Sequence, residues 1–199
     1  MSAPPADRPA EAVDRSAMRG VSGMVAGMTL FVASETVFFA VFFGVYATAY
    51  TSARVWPPPG VTPPELLLPS LGIGALLASG VLMGRAVRAV RTSEARVHPW
   101  LAGTLAGAVL FAATLVTGSG GLLSGMGPGI YGSLFYVIIG LELAHVAGGA
   151  VLIGLVLSRG RGELALRPDP VRAAAIYWYF VVALGVVVYL VLYLAAGGM

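Results

Sequence analysis

The chain has 199 residues, 58% of them hydrophobic and 11% charged, with a mean hydropathy of +0.87; a soluble domain carries about 25% charged residues, so this composition excludes one and points to an all-α polytopic membrane protein. Its formal charge of +3 comes from 12 basic residues, all arginine, against 9 acids. It has no cysteine and two histidines, which excludes disulfides, iron–sulfur clusters, thiolate-bound copper and cysteine nucleophiles.

Residues 1–20 form a Pro/Ala-rich stretch in which Arg8, Arg15 and Arg19 are balanced by Asp7, Glu11 and Asp14. Lacking an apolar run, it is expected to be a disordered cytoplasmic arm ahead of a five-helix transmembrane domain over 21–199. The first span is expected at 23–50. Its end, Ala47-Thr48-Ala49, looks like a signal-peptidase site, but a signal core is shorter, about 7 to 15 residues, and would not hold Glu35. Residues 54–65 carry five prolines and Trp56 and predict an extended loop at the membrane surface. The second span, 66–90, ends in Arg85, Arg88 and Arg91 at helical spacing, so their stems can snorkel to one interface. Pro99 suits the first turn of the third span, 99–117. Residues 118–129, with six glycines and a proline, separate it from the fourth span at 130–157. A basic loop at 159–172 leads to the fifth, 173–196.

With five spans, every arginine except Arg54 falls on one side of the membrane. Cytoplasmic loops carry the arginine excess, so the N-terminus is expected to be cytoplasmic and the C-terminus outside. Small residues four apart, as in Gly103/Gly107 and Ala144/Gly148, predict close helix packing. No internal repeat, phosphate loop, dinucleotide fingerprint or hydrolase nucleophile motif is present, and nucleic acid is not expected as a partner.

Three ionisable residues lie deep in apolar runs: Glu35 in the first span, and Glu142 and His145 in the fourth. Residues three apart are neighbours on a helix surface. Groups at bilayer depth cost several kcal/mol by roughly the lower estimates and face the bundle interior with a partner. Glu35, Glu142 and His145 are therefore expected to form one buried polar cluster, holding a proton or serving structure. Glu-x-x-His is also a ligand spacing of di-iron bundles, which leaves a carboxylate/histidine metal site as an alternative. Trp56, Trp100 and Trp178 near span ends read as an aromatic belt, and the arginine clusters as topology signals that can also bind anionic lipid.

Beyond these features, an ordered series of motifs resembles subunit III of the haem-copper oxidases, the cytochrome c and quinol oxidases. It comprises Gly27 to Phe39 with Ser34-Glu35 and Phe38-Phe39, then Trp56-Pro57-Pro58, Trp100-Leu101 with Thr104, Tyr131-Gly132-Ser133-Leu134-Phe135, Gly140 to Val146 with Gly148, and Ala175 to Val181 with Tyr189. These cover all five spans in the family's order, in its divergent five-helix form. Within it, Glu35 matches the first-helix glutamate and His145 the second histidine of a His-x-x-His element. Glu142 stands in place of the first histidine, Tyr179 in place of a last-helix histidine, Val182 in place of an aspartate, and Leu115 and Gly118 in place of a glutamine and a glutamate.

The resemblance implies a non-catalytic subunit in a bacterial plasma membrane. It would pack against a large haem- and copper-containing catalytic subunit and other oxidase subunits, hold structural phospholipid, stabilise the metal centres, and support proton uptake or oxygen access. Trp56, Trp100, Tyr131, Trp178, Arg85 and Arg88 are then candidate lipid or interface contacts. Two histidines and no cysteine cannot supply two haems and a copper centre, so the chain itself is expected to bind neither. Three alternatives stay open: a partner of a related nitric oxide reductase, a stand-alone metalloprotein using Glu35, Glu142 and His145, and a proton-coupled carrier.

Overall fold

A computed structural model describes residues 22–61, 65–92, 96–118, 129–159, 163 and 167–195. The expected cytoplasmic arm lies outside these residues. Five helices are long and apolar enough to cross a membrane. They are α1 (Gly23–Ser52), α2 (Leu67–Arg91), α3 (Val97–Gly118), α4 (Ile130–Leu157) and α5 (Asp169–Tyr189). A π-helical turn, Leu190–Leu194, carries α5 on to the end of its span. No strand occurs among the described residues, as hydrocarbon requires of a segment that must satisfy its own backbone hydrogen bonds.

The fourth helix keeps the expected 130–157 and α2 is shifted by one residue, while α1, α3 and α5 overrun their expected spans by up to four residues. Ser22 accepts a hydrogen bond from the amide of Val25 and starts α1, a favoured capping arrangement. The third helix begins at Val97, two residues before Pro99. The fifth begins four residues earlier than the expected 173, at Asp169-Pro170, a charged and a rigid residue that both suit a first turn.

The bundle is organised around α5, which packs against α1, α2 and α4. On its far side α2 pairs with α3 along most of their length. The pairing rests on small residues: a Cβ on Gly107 would lie 2.7 Å from Cβ of Ser79 and 3.1 Å from the carbonyl oxygen of Ala75. With no hydrophobic force between helices in lipid, such close backbone approach supplies the packing. The core holds Leu76, Met83, Leu101, Phe135, Ile138, Ile139 and Trp178, all fully buried. By contrast α1 buries only Phe39 and Tyr46, and leaves Leu30, Val37 and Val41 exposed. It is the outlying helix, joined to the rest through α4 and α5.

Candidate functional site

The join between α1 and α4 is polar. One helix brings Glu35 and the other His145, whose Nε2 lies 3.1 Å from Oε2 of Glu35. Their side chains are 22% and 11% exposed, so the contact is largely shielded by the two helices that make it. The other ring nitrogen, Nδ1, lies 2.7 Å from the carbonyl oxygen of Leu141, one turn back on α4. A carbonyl only accepts, so Nδ1 carries a hydrogen, and the tautomer is assigned from this network. Nε2 and the carboxylate then have one proton between them: imidazolium facing carboxylate, or imidazole accepting from a carboxylic acid. Either way the pair is electrically neutral as a unit.

Aromatic rings close around the imidazole. Phe39 meets it edge-on at 5.0 Å, Phe180 edge-on at 5.9 Å, and Tyr177 stacks on it at 6.3 Å. The Tyr177 hydroxyl donates to the carbonyl oxygen of His145 at 3.1 Å, which ties α5 to the same turn. Sequence reasoning assigned no role here to Tyr177, Phe39 or Phe180. The one available signal was that α5 carries a run of rings, Tyr177 to Phe180, that has to face something.

Glu142 does not join the pair as expected. It is fully buried, and neither carboxyl oxygen has a hydrogen-bond partner among the described residues. Its side chain occupies the space that Gly185 of α5 leaves open: a Cβ on Gly185 would lie 3.0 Å from Oε1 of Glu142, beside Leu76 of α2 and Phe111 of α3. The cause is helical geometry. At 3.6 residues per turn, positions three apart differ by roughly 60° around the axis, enough to aim His145 at α1 and Glu142 at the bundle centre. No group of three or more His, Cys, Asp and Glu side chains is placed to hold a metal ion among the described residues. The trio proposed as a ligand set is split.

The tryptophans and tyrosine expected at lipid or subunit contacts divide too. Trp178 and Tyr131 are buried within the chain, which corrects the expectation that they face lipid or a neighbouring subunit. The helix start at Asp169 puts Trp178 in its third turn, where Nε1 donates to Oγ of Ser79 at 3.1 Å. Its ring lies against Gly149, where a Cβ would come within 2.7 Å. Tyr131 packs edge-on to Trp56 at 5.0 Å. Trp56 is half-buried, and its Nε1 donates to the hydroxyl of Tyr46 at 3.0 Å. At the arginine-rich side, Arg85 and Arg88 are exposed, and the Arg85 guanidinium lies over the ring of Trp100 at 5.1 Å, a cation–π contact. His98 donates from Nε2 to the Arg159 carbonyl oxygen across 3.1 Å, since a carbonyl only accepts.

A family model described as cytochrome c oxidase subunit III matches residues 11–196. Among curated proteins, the chain is 31% identical to a cytochrome c oxidase subunit 3 from Synechocystis sp., over 84% of this chain and 74% of that protein. It is 32% identical to the subunit 3 of Papio hamadryas, over 84% and 67%. To that of Thermostichus vulcanus it is 29% identical, over 85% and 86%.

Proposed function

The chain belongs to the cytochrome c oxidase subunit III family, and from that premise we infer that its Glu35–His145 pair is the group through which it serves a haem-copper oxidase. As a subunit III it is a non-catalytic, multi-pass membrane part of an oxidase complex. In our reading it lies in a bacterial plasma membrane with its N-terminus in the cytoplasm. It packs on the large subunit that holds haem and copper, and it carries structural phospholipid.

The observation that supports this most is the 3.1 Å contact between Glu35 and His145, made between two membrane-spanning helices. A pair that holds one proton between two acceptors stays neutral whichever partner carries it, so the proton can shift between Glu35 and His145 without placing an isolated charge in hydrocarbon, where charges are costly. It also anchors α1, the least buried helix. We therefore assign the pair two tasks: holding a proton beside the partner's uptake route, and fixing α1 so that the complex stays intact during turnover. In our reading redox chemistry belongs to the partner, because two histidines and no cysteine cannot supply the ligands of two haems and a copper centre.

Purification through a tag on residues 1–20, in mild detergent, followed by a reduced-minus-oxidised spectrum and metal analysis, tests the reading. Haem and copper should co-purify with a larger subunit. A chain that arrives alone with non-haem metal refutes it, and haem bands of a nitric oxide reductase would reassign the partner.

A further inference from the structure

At the end of the bundle where α1 stops and α4 begins, phenols from three elements come together: Tyr46 near the end of α1, Tyr131 in the first turn of α4, and Tyr193 in the π-helical turn beyond α5. They are 3%, 1% and 1% exposed. Trp56 links the first two, edge-on to Tyr46 at 5.4 Å and to Tyr131 at 5.0 Å, and Phe135 links the second to the third, at 6.3 and 5.7 Å. Successive phenols lie within electrostatic reach of each other, Tyr46 of Tyr131 and Tyr131 of Tyr193. The Tyr46 oxygen accepts from Nε1 of Trp56 at 3.0 Å and keeps its own hydrogen to donate. The hydroxyls of Tyr131 and Tyr193 have no hydrogen-bond partner among the described residues. The cluster is distinct from the Glu35–His145 pair, since Tyr46 lies about three turns of α1 beyond Glu35.

We propose that this cluster is an internal hydration site, in which bound water bridges the hydroxyls of Tyr46, Tyr131 and Tyr193. A phenol hydroxyl both donates and accepts, and leaving two of them unpaired inside a fold costs more than a hydrogen bond gains. The surroundings select the occupant. Burial this complete leaves no way in for a lipid head group or a side chain of another subunit. No charged side chain bonds to the three phenols among the described residues, so neither an anion nor a metal ion finds its opposite charge there. Three neutral hydroxyls suit a small neutral molecule that donates and accepts at once, and buried water typically makes about three such bonds. The water braces the bundle. Only Phe39 and Tyr46 of α1 are buried, and the site joins one of these two to α4 and to the turn beyond α5. It thereby fastens the outlying helix a second time, at its far end. The proposal goes beyond the oxidase reading and does not depend on it.

The test uses the chain with whatever subunits accompany it, in detergent, exposed to a short synchrotron X-ray pulse and digested for mass spectrometry. Radiolysis of a bound water hydroxylates the side chains beside it even where bulk solvent does not reach. Tyr131, Phe135 and Tyr193 should be hydroxylated, whereas Trp178, equally buried but with its Nε1 already bonded to Ser79, should not. Tyr131→Phe and Tyr193→Phe keep the ring and remove one bond to the water, so each should lower the thermal unfolding temperature by about 2–4 °C. The double variant should lose the labelling of Phe135, and its shift should be smaller than the two single shifts added, because both act through the same water. A dry cluster gives the opposite: no labelling in the wild type, and single variants that are neutral or stabilised because an unpaired hydroxyl is gone. Either result overturns the proposal. So does labelling that persists in the double variant, which would mean that bulk solvent reaches these rings, and so does a density map of the complex in which another protein group bonds to the two hydroxyls. None of these readouts involves haem, so their failure does not touch the oxidase assignment.

Discussion

His145 turns one ring nitrogen to Oε2 of Glu35 at 3.1 Å and the other to the carbonyl of Leu141 at 2.7 Å. The second contact fixes the tautomer and thereby decides the first: Glu35 and His145 form a two-acceptor unit around a single proton. Among the described residues, the Glu35 contact is the polar fastening of a helix that otherwise meets α4 and α5 through apolar and aromatic side chains.

Glu35→Gln retains a side chain of the same shape whose amide can donate to Nε2 of His145, so assembly and thermal stability should stay near wild type. What it removes is the mobile proton. Proton pumping should fall and turnover-dependent inactivation should accelerate in the assembled complex; if both are unchanged, the proton-holding role is wrong. Glu35→Leu should instead cost about 1–3 kcal/mol of stability, because the imidazole loses its partner in a largely buried position.

Gly185 and Glu142 share one space. A methyl group at Gly185 would come 2.5 Å from Leu76 Cδ2 and 3.0 Å from Glu142 Oε1, so Gly185→Ala should destabilise the chain by about 1–3 kcal/mol through overpacking. Glu142→Gln should be close to neutral and Glu142→Leu neutral or stabilising, since no protein partner among the described residues is lost and replacing a buried unpaired polar group by an apolar one is commonly favourable. Thermal unfolding in detergent reads all three. A loss above about 2 kcal/mol in Glu142→Leu would mean that this carboxyl bonds to something beyond the described residues.

Trp178 and Trp100 should respond in opposite ways. Trp178→Ala empties a fully buried site and should cost about 3–5 kcal/mol, while Trp178→Phe loses the bond to Ser79 for roughly 1 kcal/mol. The half-buried Trp100 stacks under Arg85, and Trp100→Leu should cost under about 1 kcal/mol while loosening Arg85. Comparable losses at the two sites would contradict their different burial.

The chain has no cysteine, so single introduced thiols report its orientation without a background. In whole bacterial cells, Val55→Cys in the loop after α1 should react with a membrane-impermeant maleimide, whereas Thr92→Cys after α2 should react only once the membrane is opened. The reverse pattern would invert the topology drawn from the arginines.

Much of this architecture was legible in the residues. Runs of apolar sequence broken by Pro57 to Pro59 and by the glycines after Gly118 mark the helices, because in hydrocarbon a backbone has few other options. The depth of Glu35 and His145 follows from counting residues, and the structure pairs them. The separation of Glu142 from them was not legible. A spacing of three is compatible with one shared partner or two different ones, and the choice depends on which neighbouring helix leaves room. Gly185 leaves that room, from more than forty positions away. Nor was the burial of Trp178 and Tyr131 readable, since a tryptophan near a span end suits the interface as well as the core until the facing residues, Gly149 and Ser79, are known.

What the sequence determined by itself is therefore the one-dimensional part of the problem: five crossings, the segregation of arginines, the depth of each ionisable group and the family to which the motif order points. These depend on each residue's own polarity and place along the chain, and solvent and bilayer read them directly. Only the tertiary structure decided which side chains meet. The Glu35–His145 proton pair, the solitary Glu142 and the phenol cluster of Tyr46, Tyr131 and Tyr193 are set by how α5 lies between its neighbours, and that arrangement depends on contacts between small and large residues that no local pattern specifies.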